Sequence, residues 1–388
     1  MDESKRLLIA NALADIVEKA RHGGPVCRIG LMATGSELGQ EEILSGARIA
    51  QKENPSLRVV AIGPRAAGYD DLDWIETPDC EADIVAAVEK TLNEGAVSGP
   101  LSGVVAMHYP LPIGVATIGR VMTPARGRPM FIASCTGSAA PSRPEALLRN
   151  AVYGIATAKA CGIENPTVAF LNLDGAGPVF RALAKMRDAG YAVTFGASER
   201  GDGGSLLRGN DIVSGCVDVL VCDTLTGNVL IKLFSTFTTG GQYESVGWGY
   251  GPSAGEGWDK VVSIVSRASG APVIAGALAL TAKAATGGLP ERVAMELKAA
   301  RSAGLDAALD GLKPKAAASA ADVEKPPVVP VDAEIAGVDV LDMENAVHAL
   351  WKHGIYAEAA MGCTGPVVRM QSSARTRAEE ILRTAGFI

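Results

Sequence analysis

The chain has 388 residues, 48% hydrophobic and only 5% aromatic, so its core must be built from Ala, Val, Leu, Ile and Gly, and at roughly 150 residues per domain it predicts two or three domains. Its 43 acidic and 36 basic residues leave a net charge of −7, with no Lys/Arg run dense enough for a nucleic-acid face. Cysteines 27, 80, 135, 161, 216, 222 and 363 form no Cys-x-x-Cys pair and no zinc spacing with histidines 22, 108, 348 and 353, which argues against a disulfide framework and a metal site.

Residues 4–20 read as an amphipathic surface helix rather than a signal peptide. A strand, loop, helix rhythm then begins: strand 28–32, loop Ala33–Glu37, helix 39–52, strand 57–62, helix 81–92, strands 103–107 and 130–133, and helix 143–160 with Pro144 in its first turn. That rhythm predicts a parallel sheet covered by helices. The apolar stretches around 101–119 and 271–282 are interrupted by His108, Pro110, Pro112 and Pro272 and are too short to span a bilayer. A soluble protein of a reducing, cytoplasmic compartment is expected.

A second unit opens near Pro166, with strand 168–172, helix 178–189, strands 191–195 and 218–222, and a helix over 228–235. The polar, Gly-rich run 239–257 reads as a long functional loop. Residues 271–275 read as a strand and 290–303 as a helix. From Lys313 to Pro330 the composition turns to Ala, Pro and charge, which predicts a linker. Order resumes over 334–388, with a strand at 336–341, a helix at 342–352 capped by Asp342, a turn at Cys363 and a last helix at 372–384.

The segment Asp218–Lys232 carries the most chemical information. A buried strand ends at Asp223, and Thr226-Gly227-Asn228 reads as a turn feeding a helix with Lys232 one turn inside. In α/β proteins ligands bind at such carboxyl ends of parallel strands, where free helix N–H groups favour an anion. Thr226 and Asn228 add donors and Lys232 a point charge; the bland reading is an ordinary strand-to-helix turn. Thr34-Gly35-Ser36 is a weaker anion turn of the same kind. Near the C-terminus, Cys363 stands in Met361-Gly362-Cys363-Thr364-Gly365-Pro366, flanked by small or unbranched residues. A thiol so placed is open to an acyl carrier as a nucleophile, or is a small residue packed at a tight turn. Cys135-Thr136-Gly137 echoes it and reads as a buried Cys beside a turn, and His108 and Tyr109 read as structural. Leu173–Phe180 imitates a dinucleotide fingerprint, but Phe180 fills the position that needs a small residue, so no nicotinamide or flavin cofactor is expected. The loops 199–204 and 208–211 read either as cleft walls or as solvated turns.

Three stretches together carry a resemblance: Leu171–Ala176 with Asn172 and Asp174, Asp223–Asn228 with Lys232, and Met361–Pro366. The chain resembles, over nearly its whole length, the alpha subunits of component C of the glycine/sarcosine/betaine reductase complex. These are similar to the phosphate:acyl-carrier acyltransferases and, more distantly, to phosphotransacetylases. The acyltransferases typically read Asp-Gly-Phe-Thr-Gly-Asn with Lys four residues later. Thr224 and Leu225 replace the Gly and the aromatic here, which points away from a long-chain fatty acyl substrate.

The resemblance implies a two-lobed α/β fold of the isocitrate/isopropylmalate dehydrogenase type with the site in the interlobe cleft. Residues 1–150, completed by about 285–312, would form one lobe and 151–284 the other; 313–333 would be a linker and 334–388 a Cys-bearing segment. It implies no metal and no cofactor. It further implies that Cys363 takes an acetyl group as a thioester and that phosphate, held near Asn228 and Lys232, releases it as acetyl phosphate. Asp223 would order a phosphate proton or hold Lys232. Thr226, Gly227, Thr34, Gly35, Ser36, Asn172 and Asp174 would line the phosphate and substrate site. The implied partners are a ketoacyl-synthase-like beta subunit and a selenoprotein carrying the carboxymethyl or acetyl group, in an oligomeric assembly.

Overall fold

The computed structural model describes residues 17, 26–94, 100–199, 204–313, 323–336, 338, 343–362 and 365–388. The chain divides into two units, Met1–Lys313 and Pro314–Ile388. The first begins β1 (Cys27–Met32), α1 (Gln40–Glu53), β2 (Leu57–Gly63), β3 (Asp73–Glu76), α2 (Glu81–Glu94), β4 (Gly103–Ala106), β5 (Val115–Met122), β6 (Pro129–Ser138) and α3 (Arg143–Ala160). It continues β7 (Thr167–Leu171), α4 (Ala176–Asp188), β8 (Thr194–Phe195), β9 (Leu206–Leu207), α5 (Gly209–Ser214), β10 (Val219–Val221) and α6 (Thr224–Thr236). It closes with β11 (Gly251–Gly255), β12 (Val262–Ile264), α7 (Ala271–Thr286), α8 (Leu289–Ser302) and α9 (Leu305–Leu312).

This is a mixed α/β architecture around one 12-stranded sheet of order β3-β2-β1-β4-β12-β11-β5-β6-β10-β7-β8, with β9 beside β7. β1 runs parallel to β2 and β4, and β4 parallel to β12. β6, β10 and β7 form a second parallel set. Between the two sets, β11 and β5 pair antiparallel with each other and with their outer neighbours β12 and β6. Central strands such as β10 and β4 are buried throughout, which is why they read as continuous apolar runs rather than alternating ones. Tyr153 of α3, Phe131 of β6 and Phe170 of β7 are the bulkiest fully buried side chains.

Several expected elements differ. Residues 271–275 are the first turns of α7, not a strand. Gly270 is its N-cap, Pro272 stands in its first turn, and the Ala271 N–H donates to Glu42 Oε1 at 2.7 Å. An apolar run alone does not separate a buried helix from a buried strand. The helix expected at 228–235 starts earlier, at Thr224, because Asp223 is its cap. The expected loop 239–257 contains β11, a small-residue strand of Gly, Pro, Ser and Ala with little intrinsic strand preference. β3, β5, β9, β12, α5 and α9 are not among the expected elements.

The second unit has its own sheet, β13 (Ala333–Ala336), β15 (Gly365–Met370) and β14 (Ala357–Gly362), antiparallel in that order. Helices α10 (Met343–Lys352) and α11 (Arg375–Thr384) complete it, and Ile335, Leu350, Val368, Met370 and Leu382 are in its core. The expected helix 4–20 (all but residue 17), the Asp342 cap and the Cys363 turn lie outside the described residues. Among the described residues no single helix is long and apolar enough to cross a membrane.

Candidate functional site

The site is built around the first turns of α6. Asp223 stands at the N-cap in extended conformation (φ −73°, ψ 159°), and its carboxylate accepts from the Thr226 N–H at 3.1 Å and the Thr226 hydroxyl at 2.7 Å. Thr226-Gly227-Asn228 is therefore the first turn of the helix and not a turn before it, which puts Lys232 a turn deeper than the sequence reading placed it. Gly227 lies against β6 so closely that a Cβ there would fall 1.8 Å from the Ser134 carbonyl oxygen. Side chains fasten the same turn: the Thr224 and Ser134 hydroxyls meet at 2.8 Å, Thr224 donates to the Gly137 carbonyl at 3.0 Å, and Asn228 Nδ2 donates to the Cys135 carbonyl at 3.3 Å.

Lys232 projects from this helix with its side chain half exposed. Its ammonium donates to Ser266 Oγ at 3.0 Å, lies 3.3 Å from Glu244 Oε1, and sits 5.9 Å from the Tyr250 ring centroid. Burial works against its charge, but Tyr250 and Glu244 outweigh it and hold its pKa above the ordinary lysine value, so the group stays cationic. Glu244 is fully buried, and its second oxygen accepts from the Ser269 hydroxyl at 2.8 Å. The carboxylate that holds Lys232 is thus Glu244, while Asp223 is occupied by Thr226.

Beside this pair lies a cavity of about 400 Å³. Met107, His108 and Tyr109 line it from beyond β4, Thr136 and Gly137 from β6, Tyr250 from before β11, and Ser266 and Arg267 from beyond β12. The Thr34–Ser36 loop reaches its rim. Ser36 Oγ donates to the Arg267 carbonyl at 3.2 Å, Glu37 N–H donates to the same oxygen at 2.8 Å, and Gly35 faces Met107. The Arg267 side chain is exposed and pairs with no carboxylate among the described residues. Two cations, Lys232 and Arg267, together with the Thr136 and Tyr250 hydroxyls, suit a small anion.

Asn172 and Asp174 stand exposed in the loop after β7, outside the cavity lining and without a side-chain hydrogen bond among the described residues. Cys135 is fully buried and its thiol is pushed up to about 12, and burial also pushes Cys222 well above its ordinary value, so neither supplies a thiolate to the cavity. Phe180 fills its place in the false dinucleotide loop by packing edge-on against Phe170 and Phe195, at centroid distances of 6.5 and 5.0 Å. Cys363 and Thr364 lie outside the described residues; the strands on either side of them pair as a hairpin, Gly362 opposite Gly365.

Glu244, Ser266 and Tyr250 are not among the residues the sequence singles out, and Thr136 enters there only beside Cys135, in a segment read as a buried Cys at a turn. Glu244 and Tyr250 fall in the Gly-rich run marked as functional, but no local pattern announces a glutamate that ends fully buried. His108 and Tyr109 were read as structural, and the fold brings both to the cavity.

A family model described as fatty acid synthesis protein matches residues 27–369. The chain is 46% identical over 378 residues to the glycine/sarcosine/betaine reductase complex component C subunit alpha of Peptoclostridium acidaminophilum, covering 97% of this chain and 96% of that protein. It is 29% identical over 236 residues to a phosphate acyltransferase of Thermotoga petrophila, covering 53% of this chain and 66% of that protein. A branched-chain phosphotransacylase from Enterococcus faecalis V583 superposes with a TM-score of 0.47 at 18% identity, over 67% of this chain and 99% of that one.

Proposed function

We propose a function from one premise: the chain belongs to the fatty acid synthesis protein family and, within it, to the component C alpha subunits of the glycine/sarcosine/betaine reductase complex. It transfers an acetyl group from a thioester on Cys363 to inorganic phosphate. The observation that supports the reading is the Lys232 ammonium, held by buried Glu244 and by Ser266, which with Arg267 lines the adjoining cavity.

The chemistry balances without a redox step. A phosphate oxygen attacks the thioester carbonyl carbon, the carbon–oxygen bond forms, the carbon–sulfur bond breaks, and the thiolate leaves on Cys363. Lys232 and Arg267 offset the phosphate charge and hold it beside the electrophile. Asn228 and the start of α6 bear on the oxyanion that develops. Asp223 fixes the first turn through Thr226, so its role is positioning. The Thr34–Ser36 loop orders Arg267. Asn172 and Asp174, outside the lining, are given no part in this step.

On this reading the two parallel strand sets belong to two lobes of an isocitrate/isopropylmalate dehydrogenase-like fold. The partners are a ketoacyl-synthase-like beta subunit and the selenoprotein that delivers the carboxymethyl-derived acetyl group.

The test is exchange of labelled phosphate into acetyl phosphate with no added thiol. A covalent acetyl-enzyme supports exchange unaided, whereas direct transfer needs an acyl-carrier thiol. Exchange that vanishes in Cys363→Ala and falls sharply in Lys232→Met is the expected result. Undiminished exchange in Cys363→Ala, or exchange that appears only with added thiol, overturns the thioester mechanism. The second of these outcomes favours direct attack, the reading suggested by the similarity to phosphate acyltransferases.

A further inference from the structure

At the opposite edge of the first parallel set, where β1 and β2 begin, lies a second cavity of about 360 Å³. Cys27, Asn54, Ser56 and Leu57 line it from the amino ends of those strands, and Lys283 and Thr286 line it from the last turn of α7. Arg120 of β5, Trp248 and the apolar Ala279, Leu280 and Ala282 of α7 complete it. None of the residues lining it is acidic.

Arg120 is the unusual member. Its guanidinium lies 4.7 Å from the Trp248 ring centroid and 5.2 Å from that of Phe131. Its Nε is buried without a hydrogen-bond partner, and no carboxylate pairs with it among the described residues. Two aromatic faces orient a guanidinium and offset part of its desolvation, but they satisfy none of its N–H donors. The neighbouring Cys161 thiol gives no countercharge, because burial holds it up at about 11. Lys283 adds a second cation at the same cavity; the partial negative charge of the α7 carboxyl end offsets one cation in part and leaves the other uncompensated. Charges drawn out of water are ordinarily paired, so a partly buried Arg with an unsatisfied Nε beside a Lys at a roomy cavity has the chemistry of an anion site.

We propose that this cavity binds a small molecule bearing a phosphate or carboxylate group, held by Arg120 and Lys283 with Asn54, Ser56 and Thr286 as hydrogen-bonding neighbours. The site is separate from the Lys232 cavity and does not rest on the acetyl-transfer reading. One chain segment touches both: Trp248 lines this cavity, and Tyr250, two residues on, lines the other. An occupant here would act as an effector of the Lys232 site through that segment.

Trp248 supplies the reporter. The full chain is titrated separately with inorganic phosphate and with malonate while tryptophan fluorescence is followed. A saturable change with at least one anion is expected, and it should be absent in Trp248→Phe. The two anions tell a phosphoryl preference from a dicarboxylate one. Loss of a charge-assisted contact should weaken the response by about tenfold or more in Lys283→Gln and in Arg120→Gln. Lys283 is exposed, so its variant keeps the test decisive if Arg120→Gln fails to fold. No saturable change with either anion, or an unaltered affinity in Lys283→Gln, overturns the proposal.

Discussion

Replacing Gly227 by Ala sets two general effects against each other, and the structure decides the sign. Glycine inside a helix is worse than alanine by about 1 kcal/mol, so helix propensity alone says that Gly227→Ala stabilises α6. The packing says the reverse. The added methyl would stand 1.8 Å from the Ser134 oxygen, 2.9 Å from its carbonyl carbon and 3.1 Å from Ile132 Cγ2. Carbon contacts are comfortable at about 3.5–4.0 Å, and two of these obstacles are backbone atoms that cannot rotate aside. The helix must draw back by more than roughly 1 Å, which strains the Thr224–Ser134 and Asn228–Cys135 contacts. Overpacking of this severity costs about 3 kcal/mol, leaving a net loss of about 2 kcal/mol after the propensity gain. The thermal midpoint of the first unit, followed by circular dichroism at fixed protein concentration, should fall by roughly 4–8 °C. Gly311→Ala in α9 is the matched control, because nothing lies within 4 Å of its built Cβ, and it should gain up to about 1 kcal/mol. A Gly227→Ala midpoint at or above that of the unaltered chain refutes the close approach of α6 to β6.

Three further outcomes follow from the same contacts. Asp223→Ala should lose about 1 kcal/mol in urea titration, whereas Asp223→Ser recovers most of it and keeps phosphate exchange, since serine can also cap; loss of exchange in Asp223→Ser would give the carboxylate a chemical role. Lys232→Met leaves Glu244 buried without its cation. Breaking a fully buried pair costs about 3–5 kcal/mol, but Lys232 is half exposed and Ser269 still satisfies one oxygen, so about 1–2 kcal/mol is expected, and Lys232→Met/Glu244→Gln should be the more stable of the two variants. Burial pushes the Asp218 carboxyl up, yet the Thr167 N–H and hydroxyl and the Arg128 guanidinium outweigh it and hold it below the usual range. A depressed native pKa means that the unfolded chain binds the proton more readily. The stabilisation is therefore present above about pH 4 and lost as pH falls below it. Thermal midpoints measured across that range should show a shallower acid limb for Asp218→Asn.

The layers of the fold were legible wherever one signal sufficed. Pro144 in the first turn marks the start of α3, and the apolar run ending in Cys222 marks β10. Failures came where two signals agreed on the wrong answer or none was present. The apolar start of α7 satisfied strand and helix templates alike, and only its packing as a helix resolves them. β11 is made of residues that read as loop, and its strand state comes from pairing with β5 and β12 on either side. At the site, the local motif identified Asp223, Thr226, Asn228 and Lys232 as belonging together, because they lie within three turns of one helix. It does not show what each holds, because Ser134 and Cys135 arrive from 90 and 93 residues away, and Glu244, 12 residues beyond Lys232, lies past the end of the helix. Long-range partners leave no trace in local spacing.

The Lys232–Glu244 contact also bears on inheritance. A lineage that lost the lysine would be left with a carboxylate sealed in the protein, and one that lost the glutamate would leave the ammonium to Ser266 and the Tyr250 ring, with no countercharge. Neither intermediate is a comfortable resting point for drift, so the two positions should change together or not at all. Among descendants of a common ancestor, a joint replacement at 232 and 244 would mark the branch that gave up the anion, and an acid kept at 244 opposite an apolar 232 should be the rarest combination.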